Sequence, residues 1–506
     1  MNIGKTGRAI SGVVLCTLIA KILGFLRELV LSYYFGATGI SDAYLISQTI
    51  PGTIFQVVGT GLTTCFIPIF YKVLNHHGKE ASDRFTNTII TIVLCFSTAS
   101  IFCIWIFTPQ IVHLFAMGFE GETLEYAKQF TRIGVLSLYF STFIYVYNSY
   151  LQANNIFTPT AFAAIPNSIA IIASIVLGAV CDIWILPVGS TLAVGIQLLF
   201  ILYPIYKLGY HFRVSFAWQK SDVKDFFILL APVVIGVSVN EINVLVDRTI
   251  ASNVAIGGIS ALTYANSLIM LIQGSIVQPI AMVCYPKITH CVSSGNSKAA
   301  ENIVNQTFKY LFAILLPLTV FFMIYQYQII DILFGHGRFS VKAVQMTGSV
   351  LFFYSLGIIF IGAREIMSRF YYAHANTKIP VRNATIGVGI NIIFNMIFSR
   401  FIGLSGLALA TSFSACITSI LLFLDCNKFL KCDRPSLDLK DLVKVLFASV
   451  ASIIFPSFFL LKLPMPSILK LIAALILGAF LYFIIGILFK IKLFEFVTAL
   501  GPFRKR

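Results

Sequence analysis

Three ionisable residues interrupt an apolar stretch near the start of the chain. The segment KILGFLREL at 21–29 places Lys21, Arg27 and Glu28 in an otherwise almost continuously apolar run. A charge at the centre of a bilayer costs about 2.5–3.5 kcal/mol on insertion scales, so each of these residues should face a partner or a watery cavity. Surplus cations in such a cavity favour an anionic ligand, typically a phosphate or pyrophosphate.

Charged residues also interrupt two later apolar segments. These residues are Glu241, Asp247, Arg248, Arg364, Glu365 and Arg369. Glu365 and Arg369 have the i, i+4 order that favours an ion pair along one helix, which is a structural alternative to a binding role. Bases outnumber acids near Lys21, Arg27 and Arg364, and we therefore interpret these three as candidate ligands for an anion.

The composition excludes a soluble protein. Of 506 residues, 58% are hydrophobic and 11% charged, against roughly 25% charged in soluble domains, and the mean hydropathy is +0.90. Apolar windows of about 20 residues, enough to cross a bilayer, recur fourteen times. They lie near 10–34, 44–71, 86–109, 131–152, 156–180, 184–206, 226–251, 259–285, 308–330, 345–372, 380–399, 404–425, 441–461 and 467–489. The fold class predicted is an all-α polytopic membrane protein with fourteen transmembrane helices.

The net charge of +16 does not indicate nucleic-acid binding. Basic residues are spread over the loops that an inside N-terminus places on one side, whereas the opposite loops are richer in acids. The positive-inside rule then predicts that both termini are cytoplasmic. The ten cysteines form no CxxC pair and no zinc-type spacing with histidine, so we interpret them as small apolar residues.

The chain contains a weak internal repeat at an offset near 220 residues. The triplet 39–41 (GIS) recurs at 258–260, and YLQAN at 150–154 is echoed by YAHAN at 372–376, each followed by a proline. The repeat predicts two pseudo-symmetric six-helix lobes, 1–215 and 216–432, and a segment 433–506 with helices 13 and 14 and a basic cytoplasmic tail. Parallel repeats of this kind place a substrate path between the lobes.

A second constellation is polar rather than cationic. Asp247 with Asn391, Asn395 and Thr411 could supply oxygen ligands to a hard cation such as Na⁺. Asn and Thr also form ordinary hydrogen bonds between membrane helices, worth about 0.6 kcal/mol each, and the spacing alone leaves both interpretations open.

Several motifs resemble the MurJ/MviN family, the lipid II flippases of the multidrug/oligosaccharidyl-lipid/polysaccharide exporter superfamily. They are KILGFLRELVLSYYFGATGISDAYLISQTIP from residue 21, FIPIF at 66–70, VDRTIAS at 246–252, ISALTYANSL at 259–268, ILFGHGRFS at 332–340 and REIMSRFYYAHANTKIPVRNA at 364–384. The resemblance implies fourteen helices in two six-helix lobes, and a C-terminal helix pair that forms a lipid-facing groove.

The resemblance also implies roles for particular residues. The implied substrate-binding residues are Lys21, Arg27, Glu28, Asp42 and Arg364, and the implied sodium site is Asp247, Asn391, Asn395 and Thr411. The chain departs from the family pattern at two positions where an arginine is usual. It has Phe55 and Gln56 in the second span, and Ser267 after the Tyr-Ala-Asn motif.

The expected function is translocation of undecaprenyl-pyrophosphate-linked peptidoglycan precursor, lipid II, from the inner to the outer leaflet by alternating access. Alternatives are an exporter of another lipid-linked oligosaccharide, a cation-coupled antiporter of small amphiphiles, or a scaffold. An enzyme is not expected, since no paired carboxylates occur and all seven histidines lie in loops or at span ends. We expect a bacterial inner-membrane monomer without a cofactor, with Na⁺ as a candidate coupling ion and cell-wall synthesis proteins as candidate contacts.

Overall fold

A computed structural model describes residues 3–217, 221–430, 439–460 and 462–489. Side chains are described from residue 12 to 426, apart from 218–220, and again over 440–460 and 462–489. Within these ranges all regular structure is helical, as expected where hydrocarbon leaves backbone groups no outside partner. The basic tail predicted at the C-terminus lies outside the described residues.

The chain divides into two compact units. The first comprises Met1–Ser260 with Gly337–Phe339, and the second Ala261–His336 with Ser340–Arg506. These two units group helices that pack together, whereas the predicted lobes group consecutive elements of the internal repeat. The lobe boundaries at 215 and 432 therefore stay a prediction.

The helices that begin before the boundary at Ser260 are α1 (Ile3–Phe35), α2 (Gly39–Ile106), α3 (Thr108–Phe115), α4 (Gly121–Gly134), α5 (Ser137–Ala153), α6 (Thr158–Phe162), α7 (Ala164–Val180), α8 (Ile185–Lys207), α9 (Ser221–Val254) and α10 (Gly258–Ile272), of which α10 continues into the second unit. A π-helical turn, Gln273–Val277, follows α10. The remaining helices are α11 (Gln278–Ser293), α12 (Ser297–Ile324), α13 (Gln326–Phe334), α14 (Val341–Ala373), α15 (Lys378–Ile402), α16 (Leu404–Leu430), α17 (Leu439–Leu460) and α18 (Ser467–Leu488).

Eleven helices among the described residues are long and apolar enough to cross a membrane. The number rises to twelve when α4 and α5, which meet at a 45° bend, count as one span. The polytopic all-α class is therefore confirmed. The difference from fourteen has two sources. First, α2 counts once although it contains two of the predicted spans. Second, α1 is not counted, because the part of it whose side chains are described carries three charged residues within its apolar stretch.

Helix α2 is broken at a glycine between its two apolar windows. It has 68 residues, which at about 1.5 Å per residue is about 100 Å, more than three times the thickness of the hydrocarbon core. Gly78 adopts φ +77°, a left-handed conformation that interrupts the helical backbone without the penalty a Cβ atom would bring. The break lies in the polar sequence between the windows.

Aromatic rings form much of the core of the first unit. Phe66 stacks on Phe70 at 5.5 Å, Phe70 meets Tyr150 at 5.3 Å, and Tyr150 meets Tyr210 at 4.9 Å between ring centroids. All four rings are at most 2% exposed. Such pairs contribute about 0.5–1.5 kcal/mol each beyond burial of area, so this cluster holds α5 and the segment after α8 against α2.

The segment 208–217 lies along the second half of α2 and is fixed there by polar contacts. The Tyr210 hydroxyl donates to Asn87 Oδ1 at 2.6 Å, and the Arg213 N–H donates to the same oxygen at 3.1 Å. The Ser215 N–H donates to Thr91 Oγ1 at 3.1 Å. Burial raises the pKa of Tyr210, so the phenol stays protonated and remains a donor.

Small residues bring the helices of the second unit into close contact. A Cβ atom on Gly357 of α14 would lie 2.7 Å from the Ser412 hydroxyl oxygen of α16, and one on Gly387 of α15 would lie 2.3 Å from Thr418 Oγ1. Ser412 Oγ donates across to the Phe353 carbonyl at 2.6 Å. Close packing of this type drives helix association where lipid removes the hydrophobic term.

The repeated motifs occupy matching places in their helices. The two GIS triplets open α2 and α10, and the YLQAN and YAHAN motifs end α5 and α14. Pro159 and Pro380 follow in the first turns of α6 and α15, where a missing N–H is tolerated. The repeat therefore marks recurring helix boundaries.

Replacing Asn87 by alanine should destabilise the protein by about 1–3 kcal/mol, because Tyr210 and Arg213 would each lose a buried acceptor. Thermal unfolding of the full chain in detergent would measure this as a lower Tm. The matched control is Asn75→Ala, an exposed asparagine of the same helix. Equal Tm values for the two variants would show that the segment 208–217 does not depend on these contacts.

Candidate substrate and ion sites

Arg27 and Glu28 form an ion pair on α1. Arg27 Nη2 lies 3.0 Å from Glu28 Oε1, and the side chains are 38% and 9% exposed. The second carboxylate oxygen of Glu28 is buried without a hydrogen-bond partner among the described residues. A guanidinium has five N–H donors, and this pair uses one of them. Arg27 therefore keeps donors for an anion while Glu28 fixes its position.

Lys21 lies on the same helix and is exposed. Between it and Arg27, a Cβ on Gly24 would find nothing within 4 Å. This surface of α1 is open, as expected for a helix that borders a cavity or lipid. The structure thus places two of the predicted anion ligands on one helix of the first unit.

Arg364 lies on α14 in the second unit and is exposed. The adjacent Glu365 pairs with Arg369, whose Nε and Nη2 atoms both lie 3.0 Å from Glu365 Oε1. The predicted i, i+4 ion pair is confirmed. Arg369 also lies over the ring of Tyr285, with 5.6 Å from its Cζ to the centroid, so its charge is satisfied within the unit. Arg364 therefore remains the candidate cation of this helix.

Asp42, the fourth predicted substrate residue, is 1% exposed in the first turn of α2. Its Oδ2 accepts the Gly257 N–H at 2.8 Å. Its Oδ1 accepts the Ser260 N–H at 2.8 Å and the Ser260 hydroxyl at 2.6 Å. The carboxylate therefore caps the N-terminus of α10, where the helix dipole also favours a negative charge. In this conformation Asp42 binds protein rather than a head group.

Close backbone approaches surround the Asp42 cap. A Cβ on Gly257, which has φ +78°, would lie 2.2 Å from the Ala37 carbonyl oxygen. A Cβ on Gly36, with φ +66°, would lie 2.5 Å from the Arg338 carbonyl oxygen. The Arg338 N–H donates to the Tyr33 carbonyl at 2.9 Å. Glycine is required at both positions, because any side chain would push the loops apart.

Three of the four predicted ion ligands meet in the second unit. Asn395 Nδ2 donates to Asn391 Oδ1 at 2.7 Å, and Asn391 Nδ2 donates to Thr411 Oγ1 at 3.3 Å. Asn391 and Asn395 are at most 3% exposed. These contacts agree with ordinary hydrogen bonding between membrane helices. They also bring together three side chains that each carry a neutral oxygen, the ligand type that Na⁺ prefers. Asp247 belongs to the first unit.

The residues at the two positions where the family usually has arginine serve packing and local hydrogen bonding. Phe55 is 5% exposed and stacks on Tyr145, with ring centroids 5.6 Å apart and planes at 18°. Ser267 donates to the Tyr264 carbonyl at 2.7 Å, and Gln56 is exposed. None of the three supplies a cation.

Sequence reasoning did not identify Gly257 and Ser260 as partners of Asp42. The available signal was the GIS repeat, since Asp42 follows the first triplet and Ser260 ends the second. Asn87 was also missed, although the polar residues of DRFTNT at 83–88 interrupt the start of a predicted span. Buried polar side chains at helix starts require hydrogen-bond partners. That requirement could have marked Asp42 and Asn87 as residues that bind other segments of the chain.

Comparisons with known proteins agree on one family. Residues 31–474 match the family model described as lipid II flippase MurJ. The protein from Thermotoga maritima named "Probable lipid II flippase MurJ" is 26% identical over 490 residues, which cover 96% of this chain and 97% of that one. The protein of the same name from Buchnera aphidicola subsp. Baizongia pistaciae is 26% identical over 430 residues, covering 84% and 83% of the two chains.

Solved structures show the same fold. "Lipid II flippase MurJ, inward closed conformation" superposes with a TM-score of 0.83 at 26% identity, covering 94% of this chain and 98% of that chain. An inward-facing multidrug transporter of the MATE family and MOP superfamily superposes with a TM-score of 0.69 at 16% identity, covering 84% and 98%. The second likeness concerns the fold alone. Since the family model matches most of its length, the chain belongs to the MurJ family of lipid II flippases.

Proposed function

We propose that this protein flips lipid II from the inner to the outer leaflet of the bacterial inner membrane by alternating access. It is a transporter and not an enzyme. The observation that carries the proposal at the level of the site is the Arg27–Glu28 pair, a half-exposed guanidinium fixed on a nearly buried carboxylate within an apolar helix. A pyrophosphate is the part of lipid II that needs such a donor.

Membrane topology supports the proposal. Eleven or twelve described helices can cross a membrane, and we infer fourteen spans, in two six-helix lobes and a C-terminal pair, by adding α1 and the second predicted span within α2. From an even number of spans and the basic loops on one side we infer that both termini are cytoplasmic. The polyprenyl tail would remain in lipid beside α17 and α18 while the head group crosses.

Lys21, Arg27 and Arg364 are the residues that we assign to the diphosphate. Lys21 and Arg364 are exposed, and Arg27 retains donors beyond its pair with Glu28. They compensate for the arginines that are absent at Phe55, Gln56 and Ser267. The monomeric state and contacts with cell-wall synthesis proteins stay predictions.

We assign Asp42 a structural role in the transport cycle. Its carboxylate accepts three hydrogen bonds from Gly257 and Ser260, next to loops too close together to admit a Cβ atom at Gly36 or Gly257. Hydrogen bonds to a charged acceptor are worth about 1.5–3 kcal/mol each, so the cap stabilises the conformation that contains it. Transport requires that this conformation be stable but reversible.

Sodium is a candidate coupling ion for the same protein. Asn391, Asn395 and Thr411 would hold it through neutral oxygens, and Asp247 is the carboxylate that the family resemblance adds. The contacts of α15 and α16 support this assignment, because they already collect the three side chains. When bound, the ion would supply positive charge that balances a carboxylate.

Arg27→Ala should lower lipid II flipping about tenfold to a hundredfold, since a charge-assisted hydrogen bond of about 1.5–3 kcal/mol is lost. Flipping of labelled lipid II in proteoliposomes, with complementation of a flippase-depleted strain, measures the effect. Arg27→Lys should retain part of the activity because it keeps charge but not the planar donor fork. The control is Arg400→Ala, an exposed arginine of α15. Full complementation by Arg27→Ala would refute the assignment.

Asp42→Asn should reduce flipping and lower the Tm together, because the amide nitrogen would face an N–H donor of Gly257 or Ser260. Ser260→Ala removes one of the three hydrogen bonds and should have a smaller effect of the same sign, about 1–3 kcal/mol in stability. Glu122→Gln, at an exposed acid, is the control. A variant of Asp42 with unchanged Tm but no substrate binding would instead support direct contact with the head group.

Sodium should raise the Tm of the wild-type protein relative to potassium at equal ionic strength. At a concentration about tenfold above Kd, the gain would be about 1.4 kcal/mol. Asn395→Ala should remove the difference between the two ions, whereas Asn253→Ala, at an exposed asparagine of α9, should preserve it. Identical Tm values in the two salts for the wild type would exclude a sodium site of this strength.

A further inference from the structure

The first unit carries an apolar groove that the transport mechanism does not use. It lies between α6 and the C-terminal part of α8, with a volume of about 940 Å³. That volume is at the upper end of the roughly 300–1,000 Å³ typical of small-molecule sites. Its walls are formed chiefly by Pro159, Phe162, Leu199, Phe200, Tyr203 and Pro204.

Two irregularities of the backbone produce the groove. Helix α6 has five residues, carries Pro159 at its second position, and is separated from α7 by Ala163. On the opposite wall, Pro204 lies inside α8 and supplies no N–H to the Phe200 carbonyl one turn earlier. The Phe162 and Phe200 rings meet edge to face at 5.9 Å, so they link the two walls.

The groove is open rather than filled by protein. Tyr203 is 72% exposed and Leu199 is 65% exposed, both on α8. In a chain that spans a membrane, apolar side chains with this exposure are covered by lipid. A groove of this volume gives an acyl chain a place to lie against the protein.

One end of the groove is cationic. Lys207, in the last turn of α8, lines the groove and is exposed. The Lys79 ammonium donates to the carbonyl of Leu208, another lining residue, at 3.1 Å, which brings a second cation to this end. The lining residues include no acid. A ligand with an apolar chain and an anionic head group matches this distribution.

We propose that this groove binds an anionic phospholipid, with an acyl chain between α6 and α8 and the head-group phosphate at Lys207. Lipid chains are as apolar as the groove walls, so transfer from the bilayer gives little preference by itself. Selectivity therefore comes from the head group, which meets one or two ammonium groups at the membrane surface. Lys207 also complements the dipole of α8, and that simpler role predicts no lipid preference.

Native mass spectrometry of the purified full chain in detergent, titrated with dioleoyl-phosphatidylglycerol or dioleoyl-phosphatidylcholine, tests the proposal. The wild type should retain phosphatidylglycerol about fivefold better, the effect expected from one lysine near an anionic head group. Lys207→Gln should remove most of that preference and leave phosphatidylcholine binding unchanged. Lys224→Gln, at an exposed lysine that does not line the groove, is the matched control.

Leu199→Trp provides a second variant, at a site too exposed for the fold to depend on it. Filling the groove should weaken retention of both lipids. Equal retention of the two lipids by the wild type would overturn the proposal, as would an equal loss in Lys207→Gln and Lys224→Gln. Competition by undecaprenyl phosphate at lower concentration than phosphatidylglycerol would assign the groove to a polyprenyl chain instead. Since the readout is phospholipid binding, none of these outcomes depends on flipping.

Discussion

Backbone groups in hydrocarbon must find partners within the protein, and this constraint decides where the chain can break. The breaks between helices in the first unit lie where the protein supplies such partners. The left-handed glycines Gly36 and Gly257 lie at the junctions before α2 and α10, where Asp42 accepts the N–H groups that open α10. One carboxylate in the first turn of α2 thus accepts two of the N–H donors at the start of α10.

The two buried carboxylates of the first unit illustrate opposite uses of a negative charge. Asp42 accepts three hydrogen bonds from groups that cannot leave without unfolding a helix start. Glu28 has one hydrogen-bond partner among the described side chains, Arg27, whose own side chain is 38% exposed. Burying a charge costs several kcal/mol in both cases, but only the second arrangement leaves a charged partner partly exposed.

Much of the architecture was predictable from the sequence, because hydrophobic period and composition act locally. The helical class and the Glu365–Arg369 pair both follow from patterns within a few turns. The 45° bend between α4 and α5 was not predictable, since no proline or glycine pair marks it strongly. Contacts between distant segments were missed for the same reason: nothing in the sequence near Asn87 specifies Tyr210 as its partner.

The replacement of usual arginines changes how this chain must hold a pyrophosphate. Phe55 is committed to Tyr145, and Gly59 could not carry a side chain because a Cβ would lie 2.5 Å from the same ring. This part of α2 is therefore packed for contact with α5 rather than for an anion. In the proposed function, the positive charge for the substrate would instead come from Lys21 and Arg27 of α1 and from Arg364 of α14. Under this proposal Lys21 would bind as a mobile point charge, whereas Arg27 and Arg364 would offer planar donor forks. A site with few fixed forks would orient the diphosphate less strictly, so the affinity of this chain should depend strongly on Arg27.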